Sequence, residues 1–254
     1  MRFVRYTPEN CPYLEPMHKD HFEFKLTDFF VKVAKIEEDD VTTQKWVLGG
    51  HPIAHMAAPG TIVYGSGFFS RQDRIPPNVD ILALWGKESQ ALCELTSSSY
   101  KYLREQPCGF FWHLLPYFFL PERTRDFDVV LLPSDRAEFE YYSNQNWVID
   151  SMLIIDPHAN PDEIIHAIRS ANHLQTTNPY GIMIANAYGV DVTKITGLRN
   201  NTFDNLNTHD YLMSRRMEEF DVRYMEEVCP FPLNKKYEHP RPVISTKILS
   251  EEPI

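Results

Sequence analysis

The sequence predicts an α/β fold of two Rossmann-like halves, residues 1–105 and 106–254. Short apolar runs of strand length alternate with segments of helix length, which is the pattern of βαβ units around a parallel sheet. Several of those runs end at glycine or at a Pro/Ser/Asp turn, so the chain reverses at one edge of each sheet. The chain has 254 residues, 43% hydrophobic and 24% charged, enough apolar material for two modest cores.

In the first half, residues 2–6 read as an opening strand. Residues 22–34 read as a helix whose apolar face carries Phe22, Leu26, Phe29, Phe30 and Val33. Trp46-Val47-Leu48 is strand-like and runs into Gly49-Gly50. Residues 61–64 form another such run, followed by Gly65-Ser66-Gly67. Residues 80–84 form a third, followed by Trp85-Gly86 and a helix over 87–95. Three strands that end at glycine place their loops along the carboxyl edge, where open α/β sheets bind ligands.

Residues 100–120 are aromatic and broken by prolines, and they read as the passage between halves. Their rings would suit sugar stacking, but an interdomain core explains them more simply. The second half begins with a strand at 127–132 that ends at Pro133-Ser134-Asp135. A second strand, 151–155, ends at Asp156-Pro157. Asn160-Pro161-Asp162-Glu163 is a helix start, with an Asn cap, Pro at the first helical position and acids in the first turn. That helix continues through Ile164, Ile165 and Ile168 to about Ser170. A short strand at 173–176, a helix of small and apolar residues at 181–188 and a strand at 190–195 follow. Residues 218–228 read as a late helix and the tail from Pro230 as irregular.

Charge and cysteine content narrow the function classes. A formal net charge of −10 argues against a broad nucleic-acid surface, yet it allows a local basic pocket for a small anion. The four cysteines, Cys11, Cys93, Cys108 and Cys229, have no CxxC spacing and read as reduced thiols. The start of the chain lacks a signal-peptide core, and no apolar run approaches the roughly 20 residues of a membrane span. The expectation is a cytoplasmic protein. His18 and His21 flank Asp20 without a metal-ligand spacing, so no metal is expected.

The order of motifs resembles the polysaccharide pyruvyl transferase family. The resemblance rests on Gly65-Ser66-Gly67 after the 61–64 strand, on Trp85-Gly86-Lys87 where the family has an Arg-Gly-Pro turn, and on the strand, turn and helix of 152–168. It continues through Thr176 to Gly189, where the family has a Ser-Leu-His-Gly helix start, and through Asp210-Tyr211. It covers roughly residues 20–215. It implies two Rossmann-like halves facing across a cleft, a GT-B-like layout. It also implies transfer of pyruvate from phosphoenolpyruvate, as co-substrate and without a cofactor, onto a glycan or lipid-linked sugar of a capsule or exopolysaccharide. Such chemistry needs an acid for the enol carbon and donors for a carboxylate and a phosphate.

Position by position, the resemblance implies catalytic roles for Tyr180, at the family's His, and for Lys87, beside its Arg, which is Trp85 here. The donor-binding candidates are Gly65, Ser66, Gly67, Ser134, Arg136, Asn178 and Gly181. Ser134 stands where the family often has His, and Arg136 has the planar fork that suits phosphate or carboxylate. Two other readings share this layout: a non-catalytic relative that binds a glycan or protein partner, and a nucleotide-sugar glycosyltransferase.

Overall fold

The structure, a computed structural model, describes residues 2–3, 21–38, 45–48, 57–68, 71–96, 111–146, 149–195, 229 and 231–233. The expected late helix at 218–228, nearly all of the expected irregular tail, residues 4–6 of the first strand and the Gly49-Gly50 turn lie outside the described residues. Two compact units divide them. The first holds residues 2–3, 23–119, 229 and 231–233, and the second holds 21–22 and 120–195.

The first unit contains a parallel sheet in the order β1-β2-β3-β4. Its strands are β1 (Arg2–Phe3), β2 (Lys45–Leu48), β3 (Ile62–Ser66) and β4 (Asp80–Leu84). Strand β3 runs two residues beyond the apolar run and takes in Gly65-Ser66, which the sequence assigned to a loop. The register with β4 shifts on either side of Tyr64, and Gly65 has φ of 68°, a left-handed backbone that glycine adopts at no steric cost. The bend keeps pairing alive to the strand end, where the Trp85 amide donates to the Ser66 carbonyl at 2.9 Å.

Helix α1 (Phe22–Val33) buries Phe22, Leu26 and Phe30 completely, while Phe29 and Val33 on the same stripe are half-buried. Helix α2 (Lys87–Thr96) follows β4. A 3₁₀ turn at Phe111–Leu114 leads into the short α3 (Leu115–Phe118). Their aromatics pack into the core of this unit: Phe30 meets Trp112, Phe118 and Phe231 edge-on at centroid distances of 6.4, 5.1 and 5.6 Å, and Phe119 meets Phe29 at 5.2 Å. Such pairs add about 0.5–1.5 kcal/mol each beyond their burial.

The second unit has strands β5 (Phe127–Leu132), β6 (Met152–Ile154), β7 (Ala171–Thr176) and β8 (Asp191–Lys194). They form a second parallel sheet in the order β6-β5-β7-β8. Strand β7 starts two residues earlier than the sequence predicts, because Phe127 pairs with Ala171 and the edge is occupied from there. Helix α5 (Pro161–Arg169) buries Ile164, Ile165 and Ile168 on one side. Asn160 caps it by backbone position alone: its amide donates to the Glu163 carboxylate at 3.2 Å and makes no cap hydrogen bond. Helix α6 (Pro179–Tyr188) begins two residues before the predicted start, with Pro179 in its first turn, and ends at Gly189 in the left-handed region.

Helix α4 (Arg136–Ser143) occupies a stretch the sequence reading left without a helix. Asp135 caps it, accepting from the Glu138 amide at 2.9 Å. An acid three residues after the cap is the capping-box signature, and it stands plainly in Asp135-Arg136-Ala137-Glu138.

Candidate functional site

Counted in chain order, the second sheet reads 2-1-3-4. The connections leave β5 in one direction and return to its other side, so the order reverses between β5 and β7. Open parallel sheets offer a crevice for ligands at that reversal, outside the carboxyl ends. The loops there are Pro133-Ser134-Asp135 and Thr177-Asn178.

These two loops are bound together. The Ser134 amide donates to Thr177 Oγ1 at 2.7 Å and to Glu138 Oε2 at 3.0 Å, and the Thr177 hydroxyl donates to the same carboxylate oxygen. Glu138 is 3% exposed, so these donors replace water that the carboxylate has lost. Below it, the Thr176 hydroxyl donates to the Leu132 carbonyl at 2.7 Å and accepts from the Asn178 amide at 2.9 Å. Asn178 Oδ1 accepts from the Tyr180 amide at 2.8 Å, which fixes the start of α6. One polar atom in this network lacks a partner: the Ser134 Oγ is shielded from solvent and makes no hydrogen bond.

A second layer comes from His21 and from the turn after β6. His21, 3% exposed, bonds through Nε2 to the Ser134 carbonyl at 3.0 Å. The Phe22 amide donates to the Pro157 carbonyl at 3.0 Å, and the rings of His21 and His158 meet edge-on at 5.8 Å. Asp156 Oδ1 receives the His158 amide at 2.9 Å and lies 3.1 Å from His158 Nδ1. Its Oδ2 binds the Arg136 guanidinium, which also reaches Glu140 at 3.1 Å. Burial pushes the Asp156 carboxyl up, but the two His158 hydrogen bonds and the Arg136 charge outweigh it and hold the group below its ordinary value. The Arg136 guanidinium is raised, by its hydrogen bond to Glu140 first and the Asp156 charge second.

Of the expected site residues in this unit, the structure brings Ser134, Asn178, Tyr180 and Gly181 to the reversal of strand order, with Arg136 on the α4 side. Their local roles differ from one another. Tyr180 is 1% exposed, and its ring meets Phe22 edge-on at 6.4 Å. Gly181 is a packing glycine: a Cβ there would lie 2.7 Å from Thr176 Oγ1 and 3.1 Å from Leu132 Cδ2. Arg136 opens a helix and holds two carboxylates.

In the first unit, Gly65, Ser66 and Gly67 lie at the carboxyl end of β3, and Lys87 begins α2 after β4. Ser66 is fully buried, and a Cβ on Gly67 would meet the Trp85 ring at 2.8 Å. The indole, itself 1% exposed, therefore fills the space beside the glycine. Lys87 is half-buried at the helix start.

His21, Glu138, His158 and Thr177 were not among the site residues read from the sequence. The turn Asp156-Pro157-His158 was legible, since an acid and an imidazole directly follow a strand at the carboxyl edge. His21 gave no signal because its partner Ser134 is 113 residues away. Among the described residues, no group of three or more His, Cys, Asp or Glu is placed to hold a metal ion. Nor is any helix there long and apolar enough to cross a membrane. No protein-family model, curated protein or solved structure matches the chain.

Proposed function

We propose that the protein is a divergent transferase of the polysaccharide pyruvyl transferase family, moving pyruvate from phosphoenolpyruvate to a glycan or lipid-linked sugar acceptor. The GT-B-like layout, two Rossmann-like halves facing across a cleft, belongs to the same reading. One observation carries it. At the reversal of strand order the second sheet has a buried Ser134 hydroxyl with no partner in a loop pair that His21 holds, and the turn after β6 adds the His158 imidazole and the Arg136 guanidinium, both on Asp156. Hydroxyl, imidazole and guanidinium donors are the groups that receive a donor carrying both carboxylate and phosphate. Ser134, Asn178 and Gly181 occupy family motif positions in those loops, and Gly65, Ser66, Gly67 and Lys87 occupy the matching positions in the first unit. Tyr180 is the hydrogen-bond donor expected at the family's histidine position.

Phosphoenolpyruvate should raise the melting temperature of the full chain by mass action, corresponding to about 2.7 kcal/mol at a hundredfold excess over Kd. An unchanged melting curve at millimolar phosphoenolpyruvate ends the donor assignment. The Trp85 ring against Gly67 favours a second reading, a relative that binds a glycan or protein partner without turnover. Donor binding with no release of phosphate, with or without sugars present, would select it.

A further inference from the structure

We infer that His158, oriented by Asp156 at the carboxyl end of β6, delivers the proton to the enol carbon of the donor; this rests on the pyruvyl-transferase reading above. Asp156 orients this imidazole. Asp156 Oδ1 takes both the His158 amide, at 2.9 Å, and the Nδ1 side of its ring, at 3.1 Å. The other carboxylate oxygen is anchored across to Arg136 at the start of α4, so Asp156 is fixed from two sides. A carboxylate on Nδ1 sets the tautomer, which leaves Nε2 as the ring atom that faces the donor in this assignment. The His158 side chain is 19% exposed, enough for exchange with solvent, and its ring lies edge-on to His21, whose own Nε2 bonds the Ser134 carbonyl. His158 is thus one ring removed from the Ser134 carbonyl of the loop pair.

The other candidates for this role are worse placed. Tyr180 is buried at the helix start, its ring packed edge-on against Phe22. His21 is 3% exposed, with its Nε2 bonded to a backbone carbonyl.

The step balances as follows. The C2=C3 electron pair of phosphoenolpyruvate takes the Nε2 proton of His158, forming the methyl C–H bond and leaving a cationic C2. One sugar hydroxyl oxygen adds to C2 and its proton returns to His158. The second hydroxyl oxygen then adds as the C2–O bond to phosphate breaks, and its proton leaves with the phosphate. With one water in place of the first hydroxyl, its remaining O–H pair forms the C2 carbonyl as the C2–O bond to phosphate breaks, the proton leaving with the phosphate, and the products are pyruvate and inorganic phosphate. Asp156 touches no reacting atom and is a positioning residue.

The test uses the full-length chain, phosphoenolpyruvate in water and two readouts: donor binding by calorimetry, and release of pyruvate with phosphate. His158→Gln is expected still to bind the donor, more weakly, and to lower the release rate at saturating donor by about 100-fold or more, the usual size of a general-acid contribution. Asp156→Asn is expected to lower kcat to a value between those of wild type and H158Q, with KM for the donor unchanged. Undiminished release by H158Q overturns the assignment of His158 and leaves the transferase reading standing. Wild-type protein that binds the donor yet releases nothing, with or without sugars present, overturns the assignment and selects the non-catalytic reading. Wild-type protein that fails to bind it overturns both. If H158Q melts well below wild type, Asp156→Asn decides the matter: an unchanged kcat refutes the role of the pair.

Discussion

At Gly67 and Gly181 the missing side chain is what permits the structure, though glycines beside a strand end also read as ligand-cradling turns. The Trp85 ring lies against Gly67, and the buried Thr176 hydroxyl lies against Gly181. Gly181→Ala would drive a methyl to 2.7 Å from an oxygen that already donates to the Leu132 carbonyl. Overpacking costs about 1–3 kcal/mol, and the better helix propensity of alanine returns at most about 1 kcal/mol. We expect a net loss of about 1–2 kcal/mol, read as a lower urea midpoint with an unchanged slope. Asp156 makes a second prediction at this scale. Its carboxyl titrates below the ordinary 3.8, so its contribution to stability is present above that pH and disappears as pH falls through the lowered value. Asp156→Asn should therefore be less stable than wild type near neutral pH, and in urea titrations the two should converge as pH falls through that lowered value. An equal gap near neutral pH and below that value would show that the carboxylate charge plays no part.

Among the elements, strand positions were legible because their apolar runs are short and bounded by turn residues. Errors gathered at the ends, where tertiary pairing overrides local chemistry. Strand β3 continues through Gly65 because a glycine with positive φ takes up the register shift instead of ending the strand. Helix α4 was missed although its capping box is explicit, because Ser134-Asp135-Arg136 also reads as an exposed turn. The Asp135 cap couples that helix to the site: Glu138, one turn along, is the residue that binds Ser134 and Thr177. Asp135→Ala should cost about 1 kcal/mol of stability through the lost cap. It should also speed amide exchange at Glu138 and Ser134, whereas slowed or unchanged exchange there would mean that the helix start is held by other contacts.

For the molecule as a whole, composition and motif order indicated the α/β class and parallel sheets, and the structure bears this out. The details of the candidate site were less visible, because its contacts join residues far apart in sequence: His21 to Ser134, Ser134 to Thr177, Asp156 to Arg136. A motif scan reads neighbours along the chain, whereas strand order decides which carboxyl-edge loops become neighbours in space. Each unit has its own sheet and its own buried residues, so damage to one core should stay local. Phe30 is fully buried among Trp112, Phe118 and Phe231, and Phe30→Ala should cost about 3–5 kcal/mol. Hydrogen exchange on that variant should accelerate at the amides of β3 and β4 while β5 and β7 keep their protection. Loss of protection in both sheets together would mean that the chain unfolds as one cooperative body, and the site on β5 and β7 would then share its stability with the aromatic core of the first unit.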